Sequence, residues 1–339
     1  MEISANWLSD RALAYARRGD LNGARALLLA GIEADPRLFW RTRYLLQQIL
    51  VRTGGADELI GILDHALSEH PQLNHSVDQF DQAAFDAMKA SRDVAIYNDK
   101  PPMLFAMQTH SASATIAHEL ISGFGIQPGN VTAQLDPFDR VVPSWARDFA
   151  RGGLLSGPHM DGVESNLRTL ADAGISKIVV HVRDPRATLI SNLHHMARQR
   201  VAHADVASMP WRIDLDYSAP LTDQVDAYVR RGRWRRSALY WLLSWLDAEK
   251  RQDEFGIKIM FTRYDDFMLD KRAMYDSVLR FFDIDPARFL FDHAAASTAS
   301  DLHFREGEIG GWRKHVRPDQ AERLTAMTPP SIFNRFGWS

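Results

Sequence analysis

The chain has 339 residues, 45% of them hydrophobic, which is enough for a proper core and about two domains. Its net charge of −3 gives no global indication of a nucleic-acid partner or an acidic membrane surface. It contains no cysteine, which excludes disulfides, thiolate metal sites and cysteine nucleophiles.

The N-terminal segment "MEISANWLSDRALAYARRGD" has no unbroken apolar run, so it does not resemble a signal peptide. No apolar run elsewhere is long enough to span a membrane. The sequence therefore predicts a cytoplasmic protein without a membrane span.

Residues 1–92 show helical periodicity and no convincing strand. The segment "GDLNGARALLLAGIEADP" (19–36) overlays "GGADELIGILDHALSEHP" (54–71) at an offset of 35 residues, close to the ~34-residue period of helical repeats. The region resembles tetratricopeptide repeats, which implies a protein partner in the groove of the array. The alternative is a helical cap that buries its apolar face on the neighbouring domain, because two repeats are too few to stand alone.

From residue 101 onward, short apolar runs alternate with helical segments. Strands are predicted at 103–108, 153–159, 175–182 and 256–264, and helices after the first strand and at 162–174 and 273–284. This alternation predicts an α/β domain over residues 101–339, with a P-loop-like parallel sheet flanked by helices. Ligands of such sheets bind at the carboxyl ends of the strands.

The first predicted strand leads into "THSASAT" (109–115). Small residues let a ligand approach the backbone, and the N–H groups at the start of the next helix attract phosphate. The hydroxyls of Ser111, Ser113 and Thr115 add hydrogen-bonding groups. No Walker loop is present, and a serine-rich cap of an ordinary helix is an equal alternative.

The third predicted strand ends in "VRDPRATLIS" (182–191). Arg183 follows the strand directly, Pro185 starts a helix, and Ser191 lies about two turns into that helix. A fixed arginine with a hydroxyl nearby suits a phosphate monoester. The alternative is a structural ion pair of Arg183 with Asp184 or another carboxylate.

Two further segments are rich in arginine. "HFREGEIGGWRKH" (303–315) combines Arg305 and Gly307 as a phosphate clamp would, or is a solvated surface loop. "YVRRGRWRRSALYWLLSW" (228–245) could attract an anion. For this second segment we expect instead a solvated helix face paired with Asp247 and Glu249, and a core stripe of aromatic residues. The stripe consists of Tyr240, Trp241 and Trp245.

Taken in this order, these blocks resemble the PAPS-dependent sulfotransferase family, where PAPS is 3′-phosphoadenosine 5′-phosphosulfate. "THSASA" (109–114) falls on the family's P-K-S-G-T-T loop, and Arg183 with Ser191 matches its 3′-phosphate motif. "REG" (305–307) falls on its R-K-G loop, and "TRYDDF" (262–267) resembles its Y-E-D-L strand end. The resemblance covers about residues 101–325.

The resemblance implies a sulfotransferase fold that moves a sulfuryl group from PAPS to a hydroxyl of a small molecule or glycan. The product is 3′-phosphoadenosine 5′-phosphate (PAP), and no metal is required. His159 would be the general base, with His110 also catalytic. The implied cofactor-binding residues are His110, Ser111, Ala112, Ser113, Ala114, Thr115, Arg183, Ser191, Tyr264, Arg305, Glu306 and Gly307.

The sequence departs from the family pattern where its loop has a lysine, here His110, and a glycine, here Ala112. Thr115 replaces a stacking aromatic residue, and Glu306 replaces the middle lysine of the last loop. Either a protonated His110 takes the lysine's role, or the domain is a weakened relative in a repeat-type partner-binding protein. A P-loop nucleotide kinase is disfavoured because the Walker lysine is absent.

Overall fold

The computed structural model describes residues 5–35, 100–133, 139–202, 218–230, 234–290 and 308–338, and a few single positions between them. The side chains of residues 199–202 and 236 are outside this description.

The chain begins with a helical pair, α1 (Ala5–Arg17) and α2 (Leu21–Ala34). The Asp20 side chain caps α2 by accepting from the Gly23 N–H at 2.8 Å, and α2 ends at Asp35. The helical periodicity predicted from the sequence is therefore confirmed over these residues. The second repeat copy, 54–71, lies outside the described residues, and the division into 1–92 and 101–339 stays a prediction.

Seven strands lie in the remainder of the described chain. They are β1 (Met103–Met107), β2 (Gln127–Pro128), β3 (Thr132–Ala133), β4 (Arg140–Val141), β5 (Leu154–Ser156), β6 (Lys177–Val182) and β7 (Lys258–Arg263). Five of them form a parallel sheet in the order β2-β5-β1-β6-β7, and β3 pairs with β4 in a separate antiparallel hairpin.

Helices connect these strands. Those of the α/β region are α3 (Ser113–Phe124), α4 (Pro143–Phe149), α5 (Glu164–Asp172), α6 (Pro185–Ala202), α7 (Leu221–Arg230), a π-helix (Arg235–Tyr240), α8 (Trp241–Lys250), α9 (Gln252–Phe255), α10 (Tyr264–Leu269), α11 (Lys271–Phe281), α12 (Pro318–Met327) and α13 (Pro330–Phe336). Short 3₁₀ turns lie at Pro286–Arg288 and Gly311–His315.

The central strands are buried on both faces, which is why they appear in the sequence as continuous apolar runs. In β1, Leu104 and Ala106 join one apolar cluster, while Met103, Phe105 and Met107 join the cluster on the other face. The predicted α/β class, its four strands and their helices are confirmed. Since all five strands run the same way, the residues that follow β1, β5, β6 and β7 meet at one edge of the sheet.

The helical pair packs against the α/β region through a third apolar cluster. Leu8 of α1 and Leu28 and Ile32 of α2 share this cluster with Val142 and Trp145, at the start of α4. This contact supports the alternative in which the first helices cover an apolar face of the neighbouring domain.

Among the residues that the structure describes, no helix is long and apolar enough to cross a membrane.

Candidate functional site at the carboxyl edge of the sheet

The loop after β1 makes a tight turn before α3. His110 and Ala112 both adopt the left-handed conformation, with φ of 62° and 69°. The buried Ser111 hydroxyl donates to the Gln108 carbonyl oxygen at 2.6 Å, which closes the turn. A turn of this kind favours glycine, because a Cβ crowds the backbone when φ is positive. The departure at Ala112 therefore carries a conformational cost.

Replacing Ala112 with glycine should raise the free energy of unfolding by about 0.5–1 kcal/mol, since the left-handed strain exceeds the added entropy of the unfolded chain. The matched control is Ala114→Gly, two residues later inside α3. That change should lower the free energy of unfolding by about 0.5–1 kcal/mol, the usual cost of glycine in a helix. Urea denaturation measures both, and a loss of stability in both variants would contradict the prediction.

His181 of β6 supports this loop from below. Its Nε2–H donates to the Ser111 carbonyl oxygen at 2.8 Å, so its Nδ1 accepts from the Thr262 hydroxyl at 2.8 Å. The ring is fully buried, and desolvation lowers the pKa of His181 to about 4. A neutral histidine thus links β6, β7 and the loop.

Arg183 connects the segment after β6 to the loop after β1, the two phosphate-binding segments predicted first. Its backbone N–H donates to the Gln108 Oε1 at 2.7 Å, and its Nη1 donates to the His110 carbonyl oxygen at 2.7 Å. Its guanidinium carbon lies 3.9 Å from the centre of the Tyr264 ring. The alternative pair between Arg183 and Asp184 is wrong, because Asp184 instead binds Arg186 at 2.8 Å.

A cleft of about 440 Å³ opens beside Arg183 at the ends of β6 and β7. Its lining consists of Arg183, Asp184, Ala187, Tyr264, Asp265, Glu308, Ile309, Gly310, Arg313, Gly337 and Trp338. Asp265 accepts from the Trp338 Nε1 at 3.1 Å, and burial raises the pKa of the Asp265 carboxyl. The lining thus carries two arginines and three carboxylates. Residues 305–307 lie outside the described part of the chain, but the adjoining Glu308 reaches this cleft.

His159 follows β5 at the same edge. Its Nδ1 lies 2.6 Å from the Met107 carbonyl oxygen, and a carbonyl only accepts, so Nδ1 carries the proton. The Nε2 atom therefore keeps its lone pair in the neutral ring. The His159 backbone N–H donates to the Asp139 Oδ2 at 2.8 Å. The side chain is thus fixed in the tautomer that a general base requires.

His110 lies against α6. Its Nε2 is 2.9 Å from the Asn192 Oδ1, and the Asn192 Nδ2 donates to the Tyr228 hydroxyl at 2.6 Å. Burial first, and then the charges of His195, His159 and Arg183, lower the pKa of His110 to about 3 against the effect of the Asn192 bond. The neutral ring is therefore favoured at pH 7 in this arrangement, and a protonated His110, one of the two alternatives, stays a prediction for the nucleotide-bound protein.

The other predicted residues fall into two groups. Ser113, Ala114 and Thr115 form the first turn of α3, and Ser191 is half-buried on α6, the helix that carries Asn192. Arg305, Glu306 and Gly307 lie outside the described residues. The structure thus brings four predicted features to one edge of the sheet: the loop after β1, the segment after β6, Tyr264 and His159.

Sequence analysis missed Gln108 and Asn192. Gln108 had a detectable signal, as the polar residue that ends a buried strand. Asn192 had only its position next to Ser191.

The arginine-rich segment differs in part from its prediction. Trp241 and Trp245 are buried, as expected, but Tyr240 is 53% exposed, so that part of the predicted stripe is wrong. In the described part of the chain, the arginines that pair with Asp247 and Glu249 lie outside the run. Asp247 lies 3.9 Å from Arg251, and Glu249 lies 2.7 Å from Arg335.

Within the described ranges, no group of three or more histidine, aspartate or glutamate side chains is arranged to hold a metal ion.

Comparison with known families gives one match, in which residues 170–331 match the sulfotransferase domain. The matched range includes Arg183, Ser191, Tyr264 and residues 305–307. It begins after the 109–115 loop and after His159.

Solved structures similar to the chain include two sulfotransferases. A mouse sulfotransferase, SULT7A1, complexed with PAP has 16% identity and a TM-score of 0.45, over 70% of this chain and 85% of the mouse chain. A sulfotransferase from Alicyclobacillus acidocaldarius has 15% identity and a TM-score of 0.45, over 69% of this chain and 94% of that chain. A search of curated proteins gives no match.

Proposed function

We propose that the protein is a sulfotransferase that uses PAPS as the sulfuryl donor and a hydroxyl of a small molecule or glycan as the acceptor. The observation that carries this proposal is the contact of Arg183 with the loop after β1, through Gln108 and the His110 carbonyl oxygen. This contact joins an arginine suited to one phosphate and a helix start suited to another at one edge of the sheet.

These residues fit a nucleotide with phosphates at both ends. The backbone N–H groups of the loop and of the first turn of α3 would hold the 5′-phosphosulfate, together with Ser113 and Thr115. Arg183 and Ser191 would hold the 3′-phosphate, with Tyr264 beneath the guanidinium. Arg305, Glu306 and Gly307 remain proposed binding residues from the family pattern.

When bound, PAPS would supply the sulfuryl group. The acceptor oxygen would bond to sulfur, the bond from sulfur to the 5′-phosphate oxygen would break, and PAP would be the second product. His159 accepts the acceptor's proton at Nε2, while its Nδ1–H stays bonded to the Met107 carbonyl oxygen at 2.6 Å. The positive imidazolium is then held next to the buried Asp139 carboxyl, which bonds to the His159 backbone. The loop N–H groups hold the negative charge on the departing phosphate.

The role of His110 depends on its charge when the nucleotide is bound. Phosphate oxygens near the ring favour the protonated form, so binding should raise the pKa of His110 from about 3. Binding of PAP would then take up a proton. The uptake should grow as the pH falls from 8 to 6, because the pKa of the complex is approached from above while free His110 stays neutral.

Calorimetry of PAP binding in buffers of different ionisation enthalpy measures this proton uptake. We expect His110→Gln to lack the part of the proton uptake that belongs to His110. We expect His110→Lys to bind PAP without this proton uptake, since lysine is already charged. The control is His118→Gln on the exposed side of α3, which should behave as the wild type. Equal uptake by the wild type and His110→Gln would show that His110 stays neutral, and Arg305 would become the next candidate cation.

A second candidate function follows from the neutral His110. If the site has lost its leaving-group cation, the α/β domain is an inactive relative and the N-terminal helices recruit a protein partner. This candidate predicts that residues 1–92 retain a partner in a pull-down, while no acceptor is sulfated.

The test of the proposed function is turnover of PAPS, with PAP and the sulfated product detected by mass spectrometry against a panel of phenols, alcohols and sugars. Calorimetry with PAP tests the binding step alone. We expect PAP to bind the wild type and His159→Gln alike, and only the wild type to form product. Absence of PAP binding by the wild type would overturn the proposal.

A further inference from the structure

One continuous helical segment, residues 234–250, contacts both halves of the candidate site through its tryptophan side chains. The Trp234 Nε1–H donates to the Pro185 carbonyl oxygen at 2.8 Å. The Trp241 and Trp245 Nε1–H groups donate to the Met160 carbonyl oxygen at 2.7 and 3.1 Å. Pro185 is two residues after Arg183 and Met160 is the residue after His159, so the segment holds the backbone beside both.

The spacing of the tryptophans matches the separation of these two backbone positions. β5 and β6 lie on either side of β1, so their ends are about 10 Å apart, two strand spacings. Trp234 and Trp241 are seven residues apart, which is about 10 Å along a helix. The segment therefore has the length needed to bridge the carboxyl ends of β5 and β6.

The π-helix lies between Trp234 and Trp241. In an unbroken α-helix, side chains seven residues apart point within about 20° of each other. One extra residue in the turn rotates everything beyond it by roughly 100°. Trp234 can then face Pro185 while Trp241 and Trp245 face Met160.

The contact beside His159 is close. The Gly162 N–H donates to the Ser244 hydroxyl at 2.9 Å, and a Cβ at Gly162 would lie only 2.8 Å from the Ser244 carbonyl oxygen. All three indoles are at most 2% exposed. Three hydrogen bonds therefore fix the backbone after His159 to the segment 234–250. Gly162 allows this close approach because it has no Cβ.

We propose that Trp234 and Trp241 are positioning residues, and that the π-helix between them sets the place of His159 relative to Arg183. The role of these two positions in sulfuryl transfer rests on the proposed function. The geometric claim, that Trp241 orients His159 and Trp234 orients the segment with Arg183, can be tested without catalysis.

The test of the His159 contact is NMR of the full chain carrying ¹³C-labelled histidine, with the His159 signal assigned from His159→Gln. The variant Trp241→Phe/Trp245→Phe keeps the rings but leaves Met160 without its indole donors. We expect its His159 signal to move, with PAP affinity close to that of the wild type. Trp241→Phe alone should move the His159 signal less, because the Trp245 indole donor remains. This single variant replaces the double variant in the test if the double variant does not fold.

The test of the other contact is Trp234→Phe. We expect PAP to bind about fivefold more weakly, the effect of losing one buried hydrogen bond, while the His159 signal stays in place. The matched control is Trp312→Phe. In the described part of the chain the buried Trp312 Nε1 has no hydrogen-bond partner, so its loss should leave the His159 signal unchanged.

Two outcomes would overturn the proposal. One is an unchanged His159 signal in a folded Trp241→Phe/Trp245→Phe or Trp241→Phe protein. The other is a His159 signal that moves equally in Trp312→Phe, which would mean that loss of any indole disturbs it. If the wild type binds no PAP, the proposed function fails, whereas the NMR comparison still decides whether Trp241 positions His159 because it needs no nucleotide.

Discussion

Replacement of Arg186 by alanine should lower the free energy of unfolding by about 3–5 kcal/mol, because it leaves a buried carboxylate without its counter-charge. Arg186 is 1% exposed, and its Nε and Nη2 bond to the Asp184 carboxylate at 2.8–3.1 Å. Its Nη1 donates to the Thr325 hydroxyl at 3.1 Å. The guanidinium also lies 4.6 Å from the Trp312 ring centre and 4.5 Å from that of Phe333.

The matched control is Arg168→Ala. Arg168 pairs with Glu164 at 2.7 Å, but the two side chains are 61% and 48% exposed, so the loss should be about 0.2–1 kcal/mol. Urea denaturation followed by circular dichroism measures both variants. Arg186→Lys should also be destabilised, because lysine keeps the charge but not the fork that binds Asp184. Similar losses for Arg186→Ala and Arg168→Ala would contradict the burial argument.

Replacement of Arg183 by alanine should weaken PAP binding by about 2–4 kcal/mol, the range for losing a buried charge-assisted contact. Adenosine 5′-phosphosulfate lacks the 3′-phosphate, so its binding should weaken far less. Some loss is expected for both ligands, because Arg183 also donates to the His110 carbonyl oxygen and alanine frees that turn. The difference between the two losses is the share that belongs to the 3′-phosphate.

Calorimetry with both ligands measures this difference, and Arg313→Ala is the comparison because Arg313 is the other arginine of the cleft. Equal losses for the two ligands in Arg183→Ala would assign that arginine a purely structural role. A difference that appears in Arg313→Ala instead would place the 3′-phosphate at Arg313.

The sequence was sufficient for the features that depend on neighbours along the chain. The long central strands appear as apolar runs, and the polar residues that follow them mark the edge where ligands bind. The strands β2, β3 and β4 were missed because two residues are too few to show a period. The helix α4 was missed because Pro143 starts it directly after β4, with no separate polar run.

The charge of His110 could not be predicted, because it depends on residues that only the fold brings near. Asn192 is 82 positions away along the chain, and the burial that lowers the pKa of His110 follows from the packing of α6. The pair between Arg183 and Asp184, which was one alternative, is wrong for a related reason. The spacing favours the adjacent Arg183, whereas Arg186 is turned into the core by contacts with residues more than a hundred positions later.

The contacts of Arg186 also affect the order in which the protein can assemble. Thr325 is 139 residues away from Arg186 along the chain. Bringing the two residues together closes a long loop, which costs conformational entropy, and contacts of such long range form slowly. During synthesis, the segment with Trp312, Thr325 and Phe333 leaves the ribosome long after β6. Until that segment is synthesised, the pair of Arg186 and Asp184 lacks part of its cover, and the cleft beside Arg183 is complete only once Gly337 and Trp338 are in place.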